Sequence, residues 1–180
     1  MTFLSIALGL AVFAGGLQDR ALKDGWRKFT SEENSYSCYF PPQWHYLPPA
    51  LGNLRIVNFP LSQKVRGVVL PQGGALVVIL ERPDNVGDVE RWIKTTTIGA
   101  ETISKKDVSI GSVAVQGGLR AVEVVTESGV VPDRFQDIGL YFEISGRGFR
   151  GLLTYWKGDP KAPEYLRVLH QIVGSLTAAK

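Results

Sequence analysis

The sequence predicts an α+β fold, a three-layer α/β/α sandwich with a mainly antiparallel sheet of five to seven strands. Most of the chain consists of short apolar or alternating segments separated by Gly and Pro pairs, which is typical of strands joined by tight turns. Two segments instead repeat apolar residues every three or four positions. These segments predict an internal helix at about 85–97 and a C-terminal helix at about 162–176.

The N-terminal residues 1–16 are predicted to be a signal peptide. The first eighteen residues carry no charged side chain, and 3–14 is a nearly unbroken apolar run. A run of about a dozen residues is too short to cross a bilayer, which takes roughly 20. Small residues at 14–16 suit a signal peptidase, but no Lys or Arg precedes the apolar run. An uncleaved anchor and a short helix packed on the domain therefore stay open as alternatives.

The segment 17–25 is predicted to be a polar linker, followed by a single domain at 26–180. Cys38 is the one cysteine, so no intramolecular disulfide can form. Alternation places Cys38 on the same face as Tyr36 and Phe40, which predicts a small buried hydrophobe.

Strands of the first half are predicted from alternation, and their ends from proline. The segment after Pro41-Pro42 is interpreted as a loop, because Pro48-Pro49 and Gly52 follow it. The predicted strands of this half are 26–30, 36–40, 54–59 and 75–81.

The second half begins with the internal helix, for which the segment 83–85 (Pro-Asp-Asn) offers a cap. Four strands then follow, and short glycine turns between them indicate antiparallel hairpins. The C-terminal helix opens at Pro163. The predicted strands of this half are 104–115, 119–127, 135–144 and 149–156.

Composition excludes several classes of function. The net charge is +3, from 20 basic and 17 acidic side chains, and no basic tract runs through the chain. Such a balanced surface predicts no nucleic-acid binding. Apolar residues make up 44% of the chain, enough to fill one core.

No residue pattern points to reaction chemistry. The segment 146–151 matches the glycine fingerprint of dinucleotide sites, but an alternating strand follows it where that site needs a helix. We interpret it as a tight turn. His45 and His170 lie far apart, and with one cysteine they fall short of a zinc site. The sequence predicts no catalytic residue, no cofactor and no metal, and therefore not an enzyme.

The predicted contact surface consists of Trp44, His45 and Tyr46. Aromatic side chains between prolines form rigid anchors when they are exposed. The alternative is that Trp44 fills the edge of the core.

Three features of the sequence form a familiar pattern. An aromatic strand pair over 26–40 runs into the aromatic-Pro-Pro-x-Trp segment 40–44. An internal helix separates two groups of strands, and the strand 152–156 precedes a helix closing on 172–176. In these features the sequence resembles the PsbP-like and Mog1-like superfamily, which includes photosystem II extrinsic subunits, a Ran-binding protein and small exported bacterial proteins. The resemblance implies a non-catalytic domain that docks on a larger assembly or ligand.

The predicted function is accordingly an exported accessory or binding module, periplasmic or secreted, that docks on an envelope assembly or a ligand. The partner is then an unknown protein or an apolar ligand. Two alternatives stay open. One is a carrier that holds an apolar ligand between sheet and helix. The other is a structural protein that an uncleaved leader anchors to the membrane, facing outward.

Overall fold

The computed structural model describes residues 25–31, 35–47, 53–61, 70–98, 100–109, 119–130 and 133–178. The predicted leader at 1–16 and the linker up to residue 24 lie outside the described residues. Within the described ranges no helix is long and apolar enough to cross a membrane.

The described residues form ten strands and two α-helices. Their bounds in chain order are β1 (Arg27–Thr30), β2 (Tyr36–Phe40), β3 (His45–Tyr46), β4 (Leu54–Val57), β5 (Ala75–Glu81), α1 (Val89–Thr96), β6 (Glu101–Ser109), β7 (Arg120–Val130), β8 (Asp133–Ile144), β9 (Arg147–Trp156), α2 (Ala162–Gly174) and β10 (Thr177–Ala178).

The strands form two sheets, and every pairing is antiparallel. The larger sheet has the order β3-β4-β5-β9-β8-β7-β6, and the smaller has the order β1-β2-β10. The predicted α+β class with a mainly antiparallel sheet is therefore confirmed. The predicted count of five to seven strands is not confirmed: the larger sheet has seven strands, and a further three form the smaller sheet. The two-residue strands β3 and β10 are too short to show alternation. The three-layer sandwich stays a prediction.

The main core lies between one face of the larger sheet, the smaller sheet and α2. Alternate residues of β8 point into it, namely Ile138, Leu140 and Phe142. Helix α2 packs closely on β9 at Gly151, where an added Cβ atom would lie 2.7 Å from Cγ2 of Val173. A glycine there allows the helix and the strand to approach.

The opposite face of the larger sheet carries a second, smaller cluster under α1. Trp92 and Ile93 of the helix pack there against Val124 and Tyr141 of the sheet. The rings of Trp92 and Tyr141 meet edge to face, with their centroids 5.3 Å apart. The apolar stripe that predicted this helix is therefore the surface that it buries.

Helix α1 begins later than the sequence predicted. The predicted cap region forms a short 3-10 turn at Asp84–Val86, and Gly87 then takes a φ of 78°, which ends that turn. Asp88 is the residue that caps the helix, because its side chain accepts a hydrogen bond of 2.7 Å from the backbone N–H of Arg91.

The two sheets are joined by the hydroxyl group of Tyr36. It donates to the carbonyl oxygen of Ile79 over 3.2 Å and accepts from the N–H of Leu54 over 3.0 Å. Burial raises the pKa of this hydroxyl group. Cys38 is fully buried on the same strand, as predicted, and burial likewise raises the pKa of its thiol.

Candidate functional site

The three residues of the predicted contact surface lie in different environments. Trp44 is 3% exposed and meets Tyr165 of α2 edge to face, with the ring centroids 6.4 Å apart. Tyr46 is half-buried, 5.7 Å from the ring of Phe29, whereas His45 is exposed. Trp44 therefore packs inside the protein, as in the alternative interpretation, because its indole ring lies against Tyr165 of α2. A contact role for this segment stays a prediction.

The segment predicted as a loop around His45 is in part a strand. His45 and Tyr46 pair with Val57 and Ile56, so β3 forms one edge of the larger sheet. The proline signals misled the prediction, because they bound a strand of only two residues.

The opposite edge of the larger sheet is strand β6, which among the described strands pairs with β7 alone. Residues Glu101 to Lys105 of this strand are all exposed, including Ile103 at 47%. Ile98 precedes β6 and is 81% exposed, and Val130 ends β7 and is 79% exposed. Since β6 and β7 are antiparallel, these apolar side chains belong to one end of the strand pair. We name Ile98, β6 and Val130 the β6 edge.

Arg150 lies at the centre of the larger sheet, on the face that carries α1. Its cross-strand neighbours are Leu80 on β5 and Tyr141 on β8. The guanidinium carbon lies 5.2 Å from the centroid of the Tyr141 ring, a cation–π geometry. The Nε atom is buried and has no hydrogen-bond partner. Burial lowers the pKa of Arg150, while Tyr141 and Asp137 act in the opposite direction.

The carboxylates that flank Arg150 along β8 have other partners. Asp137 accepts hydrogen bonds from Ser128 over 2.6 Å and from Thr154 over 2.5 Å. Glu143 pairs with Arg82, with 3.2 Å between Oε1 and Nη1. Arg150 itself makes no hydrogen bond or ion pair in the part of the chain that the structure describes.

A polar cleft of about 520 Å³ lies between the β1–β2 connection, the end of β5 and the β8–β9 turn. Arg147 crosses it, with Nε and Nη2 at 2.7 and 2.5 Å from Oε1 of Glu81. Its Nη1 donates to the backbone oxygen of Ser35 over 3.0 Å. All three nitrogens of this guanidinium therefore bind groups of the protein, and the residue joins the two sheets.

The described residues hold no group of three His, Cys, Asp or Glu side chains that could bind a metal. The glycine fingerprint begins at the hairpin between β8 and β9, where Ser145 and Gly146 have φ values of 54° and 77°. Positive φ at both residues is typical of a type I′ turn. Strand β9 follows the turn, so the interpretation as a tight turn is confirmed.

No protein-family model matches the sequence. No curated protein matches it either. Solved structures do resemble it. A protein of Bacteroides thetaiotaomicron aligns with a TM-score of 0.54 and 15% identity, over 86% of this chain and 48% of that one, so this chain spans about half its length. A point mutant of the protein Mog1 aligns with a TM-score of 0.51 and 10% identity, over 86% of this chain and 96% of that one.

The chain has the PsbP/Mog1-like fold. At such low identity the likeness shows the fold alone. The cyanobacterial PsbP of Synechocystis aligns with a TM-score of 0.47 and 13% identity, over 94% of this chain and 99% of that one. At that score the alignment adds no argument of its own.

Sequence reasoning missed both Arg150 and the β6 edge. Arg150 follows a buried Phe149 in an alternating strand, so the sequence could have placed it on the opposite face of the sheet. The lack of a hydrogen-bond acceptor for its Nε could not be predicted. The β6 edge had no local signal, because the order of strands in a sheet depends on tertiary pairing.

Proposed function

We propose that the chain is a non-catalytic, exported accessory module that binds a partner protein, and that the β6 edge is its contact surface. The exposure of Ile98, Ile103 and Val130 at one end of an edge strand carries this proposal. They are three of the four large hydrophobic side chains that are exposed among the described residues. Apolar side chains grouped at one place on a surface mark an interaction site.

The mode of binding that fits this surface is the addition of an extended partner segment to β6. An edge strand presents unpaired N–H and C=O groups to such a segment. Lys105 and Asp107 are exposed, and their opposite charges favour a partner strand with the complementary pair. A register shift between Thr102 and Ser104 interrupts the regular edge. Irregularities and lysines on an edge discourage indiscriminate pairing with other strands.

Photo-crosslinking tests the contact surface. A photoreactive amino acid at Ile103 should join the chain to one discrete partner in cells. The same amino acid at Arg167, which is exposed on α2, should not do so. The double variant Ile98→Asp, Val130→Asp should abolish the crosslink from 103 without changing the melting temperature, since exposed substitutions change stability little. Equal patterns from 103 and 167, or a crosslink that survives the double variant, would contradict the proposal.

Export rests on the predicted leader at 1–16. Sequencing the N-terminus of the mature protein tests it. A start near Gly15 supports a cleaved signal and a periplasmic or secreted protein. An intact 3–14 run on a membrane-bound protein supports the outward-facing anchor instead.

The packing of α2 disfavours an apolar-ligand carrier with its cavity at this point of the sheet. Leu169 and Val173 are fully buried against β9, and Gly151 lets the helix contact the strand directly. Native mass spectrometry on protein purified from its source should therefore show the mass of the unliganded chain. A bound lipid would favour the carrier.

A further inference from the structure

We infer that Arg150 and the apolar side chains beside it form a binding site for the carboxylate of an acidic residue on a partner protein. This site lies on the α1-side face of the larger sheet, three strands away from the β6 edge. It is independent of the proposed contact at β6.

The first reason is that the described fold gives the Nε atom of Arg150 no hydrogen-bond acceptor, although the guanidinium lies over the ring of Tyr141. A buried N–H without an acceptor costs free energy, and buried charged groups are normally paired. The Nε atom of Arg150 has no acceptor, and Asp137 and Glu143 are occupied by their own donors. The guanidinium is also held in place. It lies over the ring of Tyr141 and close to Gly139, where an added Cβ atom would be 3.5 Å from its Nε.

The second reason concerns the neighbours on the same face. Leu76, Leu80 and Leu152 are half-buried and belong to neither core cluster. On β5 the first two are four residues apart, or about 14 Å in a strand. They form an apolar strip on β5 and β9 that ends at the guanidinium of Arg150. Arginine is enriched among the residues that dominate the energy of protein interfaces.

The chemistry of the site selects a carboxylate. The planar guanidinium offers parallel N–H groups that match the two oxygens of a carboxylate. One guanidinium neutralises one negative charge, so the second charge of a phosphate would stay uncompensated beside Leu80 and Leu152. The apolar strip favours an acidic residue within an extended apolar segment over a small free acid.

The test follows the Nε–Hε resonance of Arg150 by NMR in the full, ¹⁵N-labelled chain. The Arg150→Lys variant identifies this resonance by its loss. Three probes are titrated at constant ionic strength: the peptide acetyl-Val-Glu-Val-amide, its Gln counterpart, and sodium acetate. We expect a saturable shift with the Glu peptide, at least about tenfold tighter than with either of the others. An affinity for acetate equal to that for the Glu peptide would show a site for free carboxylates and would overturn the inference that a partner segment binds there. No saturable shift with any probe would overturn the site.

The melting temperature gives an independent readout. In the absence of a ligand, Arg150→Met removes a half-buried cation whose Nε has no acceptor and keeps most of the side-chain volume, so we expect the melting temperature to rise. Arg167→Met is the control, because Arg167 is exposed on α2, which packs on the opposite face of the larger sheet. It should leave the peptide affinity unchanged. A fall of several degrees for Arg150→Met would show that Arg150 serves packing, and would overturn the inference.

Discussion

The close approach of α2 to β9 makes Gly151→Ala the sharpest test of the packing. The added methyl group would lie 2.7 Å from Cγ2 of Val173 and 3.1 Å from Cδ1 of Leu169. Both of these side chains are fully buried, so neither can turn into solvent. Overpacking of this kind costs about 1–3 kcal/mol, and the lower chain entropy of alanine returns about 0.5–1 kcal/mol.

The expected net loss is therefore about 1–2 kcal/mol. For a domain of this size each kcal/mol lowers the melting temperature by about 2–4 °C, so the shift is about 2–8 °C. Urea unfolding followed by circular dichroism measures the free energy of unfolding directly. The dependence of this free energy on urea concentration (the m-value) should stay the same, because the surface exposed on unfolding hardly changes.

Two further variants decide whether the contact is the cause. Gly148→Ala lies on the same strand, and its methyl group would meet Arg82, whose Nε and Cβ lie 2.8 and 3.0 Å away. The flexible end of Arg82 can turn away at the cost of its ion pair with Glu143, about 0–1 kcal/mol, and the Cβ atom has to shift only slightly, so the loss should be smaller than for Gly151→Ala. Val173→Ala combined with Gly151→Ala should be more stable than the sum of the single variants predicts, by about 1 kcal/mol. Equal stability of the two glycine variants, or strict additivity with Val173→Ala, would show that contact with Val173 does not cause the loss of stability.

Three other predictions concern single side chains. Trp44→Ala should lower the free energy of unfolding by about 3–5 kcal/mol in a denaturant titration; lost partner binding with unchanged melting would instead show an exposed contact. Asp88→Ala should cost about 1 kcal/mol through the lost cap, while Asp88→Asn should cost less. Glu127→Gln should destabilise the chain at pH 7, because hydrogen bonds and charges of Lys157 and Arg134 lower the pKa of Glu127. A lowered pKa stabilises the fold above the ordinary Glu pKa, so the melting temperatures of wild type and variant should converge as the pH falls below about 4. A difference in melting temperature that stays constant with pH would contradict this. In a Lys157→Met background the difference at pH 7 should be smaller.

The parts of the fold that the sequence predicted are those with local causes. Strands β2 and β5 have the predicted bounds, because alternation defines them and proline or a loop ends them. The terminal helix also lies where its apolar stripe predicted. For α1 the sequence predicted a cap at 83–85, but the helix is capped by Asp88, after Gly87 with its positive φ.

The parts that sequence reasoning missed depend on distant neighbours. β3 and β10 have two residues each, and they are strands only because β4 and β2 provide partners. The burial of Trp44 likewise depends on Tyr165 of α2, which no pattern around Trp44 can indicate. The candidate surfaces belong to the same class, since an edge strand and an unpaired side chain are defined by what lies beside them.

Strand β9 shows why packing does not account for Arg150. Its side chains on the α1-side face are Arg150, Leu152, Thr154 and Trp156. Thr154 donates to Asp137, and the indole N–H of Trp156 donates to the backbone oxygen of Leu70 over 2.9 Å. Leu152 needs no polar partner. Arg150 alone of these four carries a charge, and its Nε has no hydrogen-bond acceptor among the described residues. A methionine would fill the same space without that cost, so the guanidinium is better explained by an acceptor outside the described fold.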